Sequence, residues 1–267
     1  MNINSNITMN INSGGAWKDP PSLRLVVLGT AGTGKTHTAQ VAIKEVRRRL
    51  KSYESVATMA FSGVAAANLG CGARTIDSIF HTNGPSADED LTGSRLDDLV
   101  EELGPVELLV VDEVSTWGAA SLEIVSRRMQ QVARVLWRRR ALGSASSRCA
   151  PPEDMGPFGG VGVVLMGDFA QLPPVLASSV LPGMPLVESG GAVARALALA
   201  GRQTFAAFED VIRLRRIHRQ KGVDAYKDST MRLRDVAITV DDYDLWKTHE
   251  LDSLDWGKPC PWEGAAT

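Results

Sequence analysis

An α/β fold built on a mostly parallel sheet is predicted by three features of the sequence. Apolar runs of strand length alternate with longer amphipathic stretches. Those runs are apolar at nearly every position, as strands covered on both faces must be. A glycine-rich loop joins the first run to the first helix, and sheets of this class bind ligands beyond the carboxyl ends of their strands.

The elements follow in order. Residues 1–21 are rich in Asn and Ser, carry neither a basic start nor a long apolar centre, and read as a disordered tail. Pro20 and Pro21 bar a helix, and LRLVVLG (23–29) is the first buried strand. Lys35 to Leu50 forms a helix with Ala39, Ala42, Val46 and Leu50 on one face. SVATMAF (55–61) and VELLVVDE (106–113) are the next strands, the latter opened by Gly104-Pro105. A second long helix spans 121–142, with Leu122, Val125, Met129, Val132 and Leu136 spaced for one face. Gly, Ser and Pro crowd 143–160, which reads as a flexible loop. VGVVLMGD (161–168) is a fourth strand, AVARALALA (192–200) a helix and FEDVIRL (208–214) a last short strand. One domain is expected over 22–220, followed by an acidic segment over 221–267 that is either a tail or the incomplete start of a second domain.

Composition excludes more than it assigns. A net charge of −2 gives no global basic field for nucleic acid, although a local strip suffices. Three scattered cysteines fit neither a disulfide framework nor a zinc site, and point to a reducing, intracellular compartment. No apolar run approaches the roughly 20 residues of a membrane span.

GTAGTGKT (29–36) matches G-x-x-x-x-G-K-[ST], with Gly29, Gly34, Lys35 and Thr36 in register and Thr30, Ala31, Gly32 and Thr33 between them. Glycines let backbone N–H groups curl around phosphate oxygens, and the following helix N-terminus adds positive potential. Lys35 offers a mobile charge to the β- and γ-phosphates, and Thr36 a hydroxyl to Mg²⁺. Asp112 and Glu113 end an apolar strand, where one acid holds Mg²⁺ and the second activates the attacking water. The chain lacks an N-K-x-D guanine-reading motif, so ATP is the expected nucleotide. In GDFAQLPPV (167–175) the neutral amide of Gln171 can sense a γ-phosphate, and Pro173-Pro174 stiffens the exit so that a small shift is passed on.

GTAGTGKT, VVDEVS and GDFAQLPPV, in that order, resemble the PIF/RecD-like DNA helicases of superfamily one. The likeness runs over roughly 22 to 245 and implies the P-loop, RecA-like three-layer fold of a first motor domain. FSGVAAANLGCGARTIDSIF (61–80) resembles the family element that touches single-stranded DNA, which implies contacts at Ser62, Gly63 and Thr75. LRRIHRQ (214–220) resembles the family motif whose arginine approaches the γ-phosphate, here Arg219. By resemblance, such enzymes hydrolyse ATP with Mg²⁺ and move 5′ to 3′ along single-stranded DNA. Asp77 stands where the family commonly has histidine, and an acid there weakens a phosphate contact.

Only 47 residues follow Gln220, whereas a second motor domain needs on the order of 100 or more. The expectation is therefore a helicase motor domain that binds ATP, hydrolyses it weakly and does not unwind processively alone, unless a partner chain supplies the second domain. The competing reading is a nucleotide-binding interaction module without motor activity. Elsewhere, Arg213, Arg215, Arg216, Arg219 and Lys221 form a basic strip, Arg138–Arg140 suit a helix C-terminus, and Trp117 reads as core.

Overall fold

The computed structural model describes residues 22–84, 87–142, 155–187, 191–218, 225–234 and 236–247. The expected tail at 1–21 lies outside the described residues, as do 143–154, Arg219, Gln220, Lys221 and 248–267. The described residues fall into two compact units, one within Met1–Thr30 and Gly34–Arg215, the other within Ala31–Thr33 and Arg216–Thr267.

The first unit carries a six-stranded sheet: β1 (Arg24–Gly29), β2 (Val56–Ala60), β3 (Arg74–Thr75), β4 (Leu108–Asp112), β5 (Gly162–Gly167) and β6 (Asp210–Leu214). Every pairing is parallel, in the order β3-β2-β4-β5-β1-β6. Val27 lies opposite Met166 and Val111 opposite Leu165, so β4, β5 and β1 finish side by side. Parallel pairing needs crossovers, and helices provide them: α1 (Lys35–Leu50), α2 (Gly63–Leu69), α3 (Ile76–Phe80), α4 (Ser94–Leu103), α5 (Ala119–Leu142) and α6 (Gly191–Ala206).

Period-two alternation divides each strand between two cores. Leu109, Val111, Val163 and Leu165 pack with Phe80, Leu99, Leu122, Val125, Met129 and Ala198, under α3 to α6. Val27, Val110 and Met166 turn the other way, onto Ala39 and Ile43 of α1 and Leu69 of α2. Helices on both faces of a parallel sheet make the three-layer α/β fold expected from the sequence. α5 and α6 lie so close that a Cβ on Gly201 would stand 1.8 Å from the Ala119 carbonyl oxygen.

One reading needs correcting. The expected flexible loop does not run to residue 160: Pro157–Gly160 form a tight turn with Phe158 (φ 55°) and Gly159 (φ 61°) left-handed, and Met155 and Phe158 are buried. Buried Arg24 holds this turn, donating to the carbonyls of Pro157 (2.5 Å) and Val161 (2.6 Å) with its guanidinium 5.2 Å from the Phe158 ring centroid. Gly-Pro composition signals irregular backbone, and here the irregular backbone is packed.

The second unit contains α7 (Ala225–Arg234) and α8 (Val240–Lys247). Arg232 pairs with the buried carboxylate of Asp242, which also accepts from the Thr239 N–H at 2.9 Å. The Arg232 hydrogen bond, above all, pulls the Asp242 pKa well below the usual carboxylate range. Trp246 Nε1 donates to Ser229 Oγ at 2.8 Å, closing the helix pair.

Candidate nucleotide and strand-end site

Three neighbouring strand ends assemble the site: Gly29 on β1, Asp112 on β4 and Gly167 on β5. Gly34 takes φ of 88° and caps α1, in open space that a phosphate oxygen can approach. Gly32, at φ 81°, is likewise in the region that favours glycine. Lys35 Nζ donates to the carbonyls of Gly29 (2.6 Å) and Thr30 (3.2 Å), which holds the ammonium over the loop instead of out in solvent. Thr36 follows in the first turn of α1. Ala31–Thr33 belong to the second unit, where the Gly32 carbonyl accepts from the His218 N–H at 2.8 Å. Arg219, the next residue, lies outside the described residues.

Asp112 is buried, and its Oδ1 accepts from the Glu113 N–H at 2.8 Å. Burial is the largest influence on its carboxyl and raises the pKa; that backbone bond and the positive charge of Lys35 pull it back. The strand-end acid and the loop lysine therefore share one electrostatic neighbourhood. Thr36 and Asp112 offer a hydroxyl and a carboxylate, the oxygen donors that suit Mg²⁺. Among the described residues no three His, Cys, Asp or Glu side chains form a metal cluster. Mg²⁺ needs none, since it takes one or two protein groups with substrate phosphates and water.

Glu113 has φ of 62°, a left-handed conformation that costs a non-glycine residue roughly 1–2 kcal/mol. The bend turns the acid off the strand line, and its Oε2 accepts from Ser62 Oγ at 3.0 Å. Ser62 also caps α2, its Oγ accepting from the Ala65 N–H at 3.2 Å. Thr75 does the same for α3 through the Ser78 N–H. Gly63 opens α2 with nothing near its missing Cβ. Thus two residues singled out for DNA contact are helix caps at the ends of β2 and β3, and Ser62 touches the candidate catalytic acid. Sequence reasoning missed that link; a serine just before a short apolar helix was the available signal for the cap. Asp77 is occupied locally, accepting from the Asn83 N–H at 2.9 Å and the Thr82 hydroxyl at 3.3 Å.

GDFAQLPPV divides into a fixed base and an exposed span. A Cβ on Gly167 would stand 3.0 Å from Val114 Cγ1 and 3.1 Å from the Val114 nitrogen, so glycine lets β5 end against the turn after β4. Buried Asp168 accepts from the Ala170 N–H through Oδ1 and from the Gln171 N–H through its carbonyl, closing a turn that leaves Gln171 exposed. Leu172, Val175 and Leu176 are then strongly exposed before the chain is pinned again at Ser178, whose carbonyl accepts from the Ala119 N–H at 2.8 Å.

The remaining candidates separate cleanly. Trp117 is fully buried and donates to Ser121 Oγ at 2.9 Å, a core role as expected. Arg139 and Arg140 lie in the last turn of α5. Arg213, Arg215 and Arg216 are exposed, and Lys221 lies outside the described residues. No helix among the described residues is long and apolar enough to cross a membrane.

Known proteins resemble this chain in sequence and in fold. The ATP-dependent DNA helicase Pif1 of Psychrobacter sp. is 31% identical over 153 residues, covering 55% of this chain and 19% of its own length. The ATP-dependent DNA helicase RRM3 of Saccharomyces cerevisiae is 30% identical over 158 residues, covering 55% and 18%. A Bacteroides Pif1 helicase crystal structure superposes with a TM-score of 0.54 at 26% identity, covering 85% of this chain and 46% of that one. A Bacteroides Pif1 bound to single-stranded DNA superposes with a TM-score of 0.53 at 24% identity, covering 84% and 45%. The chain thus spans about a fifth of the curated relatives and under half of the solved chains. The family model described as PIF1-like helicase matches residues 18–235, and the chain belongs to that family.

Proposed function

We propose that this chain is the first motor domain of an ATP-dependent DNA helicase. It binds ATP on the 29–36 loop with Lys35 toward the β- and γ-phosphates. Thr36 and Asp112 would hold Mg²⁺, which supplies charge neutralisation across the phosphates. Glu113 is the general base for the attacking water, and Gln171 and Arg219 sense the γ-phosphate. Ser62, Gly63 and Thr75 meet single-stranded DNA, and the motor runs 5′ to 3′. Unwinding requires a second motor domain, from a partner chain or a further segment, because translocation needs two grips that move relative to each other.

The observation that carries this reading is the bond from Ser62 Oγ to Glu113 Oε2 at 3.0 Å. One hydroxyl touches both the candidate base and the helix expected to meet DNA, a direct physical route by which strand binding can reposition the base. Support also comes from the names of the relatives, ATP-dependent DNA helicases, and from a Bacteroides Pif1 solved with ADP-AlF3 and single-stranded DNA.

ATP turnover by the purified chain, with and without single-stranded DNA, tests the proposal. DNA-stimulated turnover is expected, abolished by Lys35→Ala and lowered at least 100-fold by Glu113→Gln, in line with the roughly 10²–10⁴-fold contribution of a general base. Binding of ATP without turnover under any DNA condition would instead make the chain a nucleotide-binding interaction module.

A further inference from the structure

The face of α1 beyond its first turn borders a second pocket with a chemistry of its own. At 1.5 Å rise per residue Arg47 stands about 18 Å along α1 from Lys35, and Gln40, the nearest lining residue, about 7.5 Å. Gln40, Lys44 and Arg47 recur at four- and three-residue spacing on one face of the helix. With Tyr53 and Cys71 they line an open pocket of about 470 Å³.

Arg47 forms the floor. It donates to the carbonyls of Cys71 (3.0 Å) and Val56 (2.8 Å), and its guanidinium lies 3.8 Å from the Tyr53 ring centroid. Carbonyl partners fix the guanidinium without neutralising it, and its buried Nε has no hydrogen-bond partner. Tyr53 is held by its hydroxyl, which donates to the Cys71 carbonyl at 3.1 Å, yet it stays 64% exposed. Lys44 is exposed on the rim. The one acid between residues 40 and 53, Glu45, is taken up by Arg48 and Arg49 at 2.8 and 2.7 Å. Two cations, an amide and a fixed aromatic ring with no acid in the lining are the groups that meet a phosphate beside a planar base.

We propose that this pocket binds a nucleotide unit, with its phosphate against Lys44 and Arg47 and its base against the open part of Tyr53. The unit comes either from a free nucleotide or from one position of a single strand. This site is independent of the ATP reading, because it shares no residue with the 29–36 loop.

Cys71 supplies the readout. Alkylation by the neutral reagent iodoacetamide is followed at the Cys71 peptide by mass spectrometry, with added thymidine monophosphate, a ten-residue oligo-dT or inorganic pyrophosphate. All three are repeated in Lys35→Ala, which removes the phosphate-loop contact. At least a fivefold slowing of Cys71 alkylation by the oligonucleotide is expected in both backgrounds, and Lys44→Glu should raise its half-protecting concentration at least tenfold. Protection by the monophosphate and the oligonucleotide supports a free-nucleotide site, and protection by the oligonucleotide alone supports a strand contact. No protection by either overturns the proposal. So does equal protection by pyrophosphate, which would show charge screening alone, or loss of protection in Lys35→Ala.

Discussion

Replacing Ser62 with alanine should separate two roles that one hydroxyl now performs. Ser62 Oγ accepts from the Ala65 N–H at 3.2 Å and donates to Glu113 Oε2 at 3.0 Å. Loss of the N-cap costs about 1 kcal/mol. The bond to a carboxylate is worth about 1.5–3 kcal/mol when fully buried. Both partners here are only half-buried, which lowers it to about 1 kcal/mol. The sum, about 2 kcal/mol, corresponds to a fall in melting temperature of roughly 4–8 °C for a domain of this size. Glu113→Ala loses only the second part, about 1 kcal/mol. The double variant should therefore cost about 2 rather than 3 kcal/mol, a coupling of about 1 kcal/mol in a double-mutant cycle read by urea denaturation. Additive costs, within about 0.3 kcal/mol, would show that the two residues do not interact, and would remove the proposed route from α2 to Glu113. Ser62→Thr retains the hydroxyl and should keep both parts.

Three further outcomes are expected. Glu113→Gly and Glu113→Ala remove the same carboxylate, but at φ 62° glycine escapes the left-handed penalty, less its greater freedom when unfolded; the glycine variant should be more stable by about 0.5–1 kcal/mol in urea melts while both lack turnover. Gly201→Ala would put a methyl 1.8 Å from the Ala119 carbonyl oxygen, so α6 must move off α5 at a cost of about 3 kcal/mol or more, measurable by thermal denaturation. Asp242 has a lowered pKa, so its pairing with Arg232 contributes fully above about pH 4, declines as the pH falls below that and is lost once it passes the folded value. Asp242→Asn should accordingly loosen the 225–247 helix pair at pH 7, with the difference from the parent shrinking toward strong acid, as read from the Trp246 indole resonance.

Much of the sheet was legible because its physics is local. Continuous apolar runs such as LRLVVLG and VELLVVDE suit strands covered on both faces, and β1 and β4 lie within them. The loop at 29–36 declared itself through glycine and lysine at fixed spacing. α4 was missed although Leu96, Leu99, Val100 and Leu103 carry the helical period; its acidic neighbours and glycine-rich approach hid it. α2, α3 and β3 are too short for any period to register; the helices start at the caps Ser62 and Thr75, and β3 is held by pairing with β2. The left-handed turn at Glu113 was not legible at all, since glutamate has no preference for it and the surrounding packing imposes it. Gly167 fell within the expected strand 161–168, whereas the structure gives it a packing role against Val114, 53 residues earlier in the chain.

That glycine also bears on timing. Because β5 ends against the turn after β4, so closely that a Cβ on Gly167 would stand 3.0 Å from Val114 Cγ1, the Gln171 turn and Glu113 are rooted on adjoining strand ends. On the proposed function, a displacement at the base of the Gln171 turn would pass to the residue next to Glu113 by packing. If Gln171 and Glu113 act as proposed, close packing of that kind would set the order of events by shape, and a phosphate lost at one strand end would be felt at the next without any diffusing messenger.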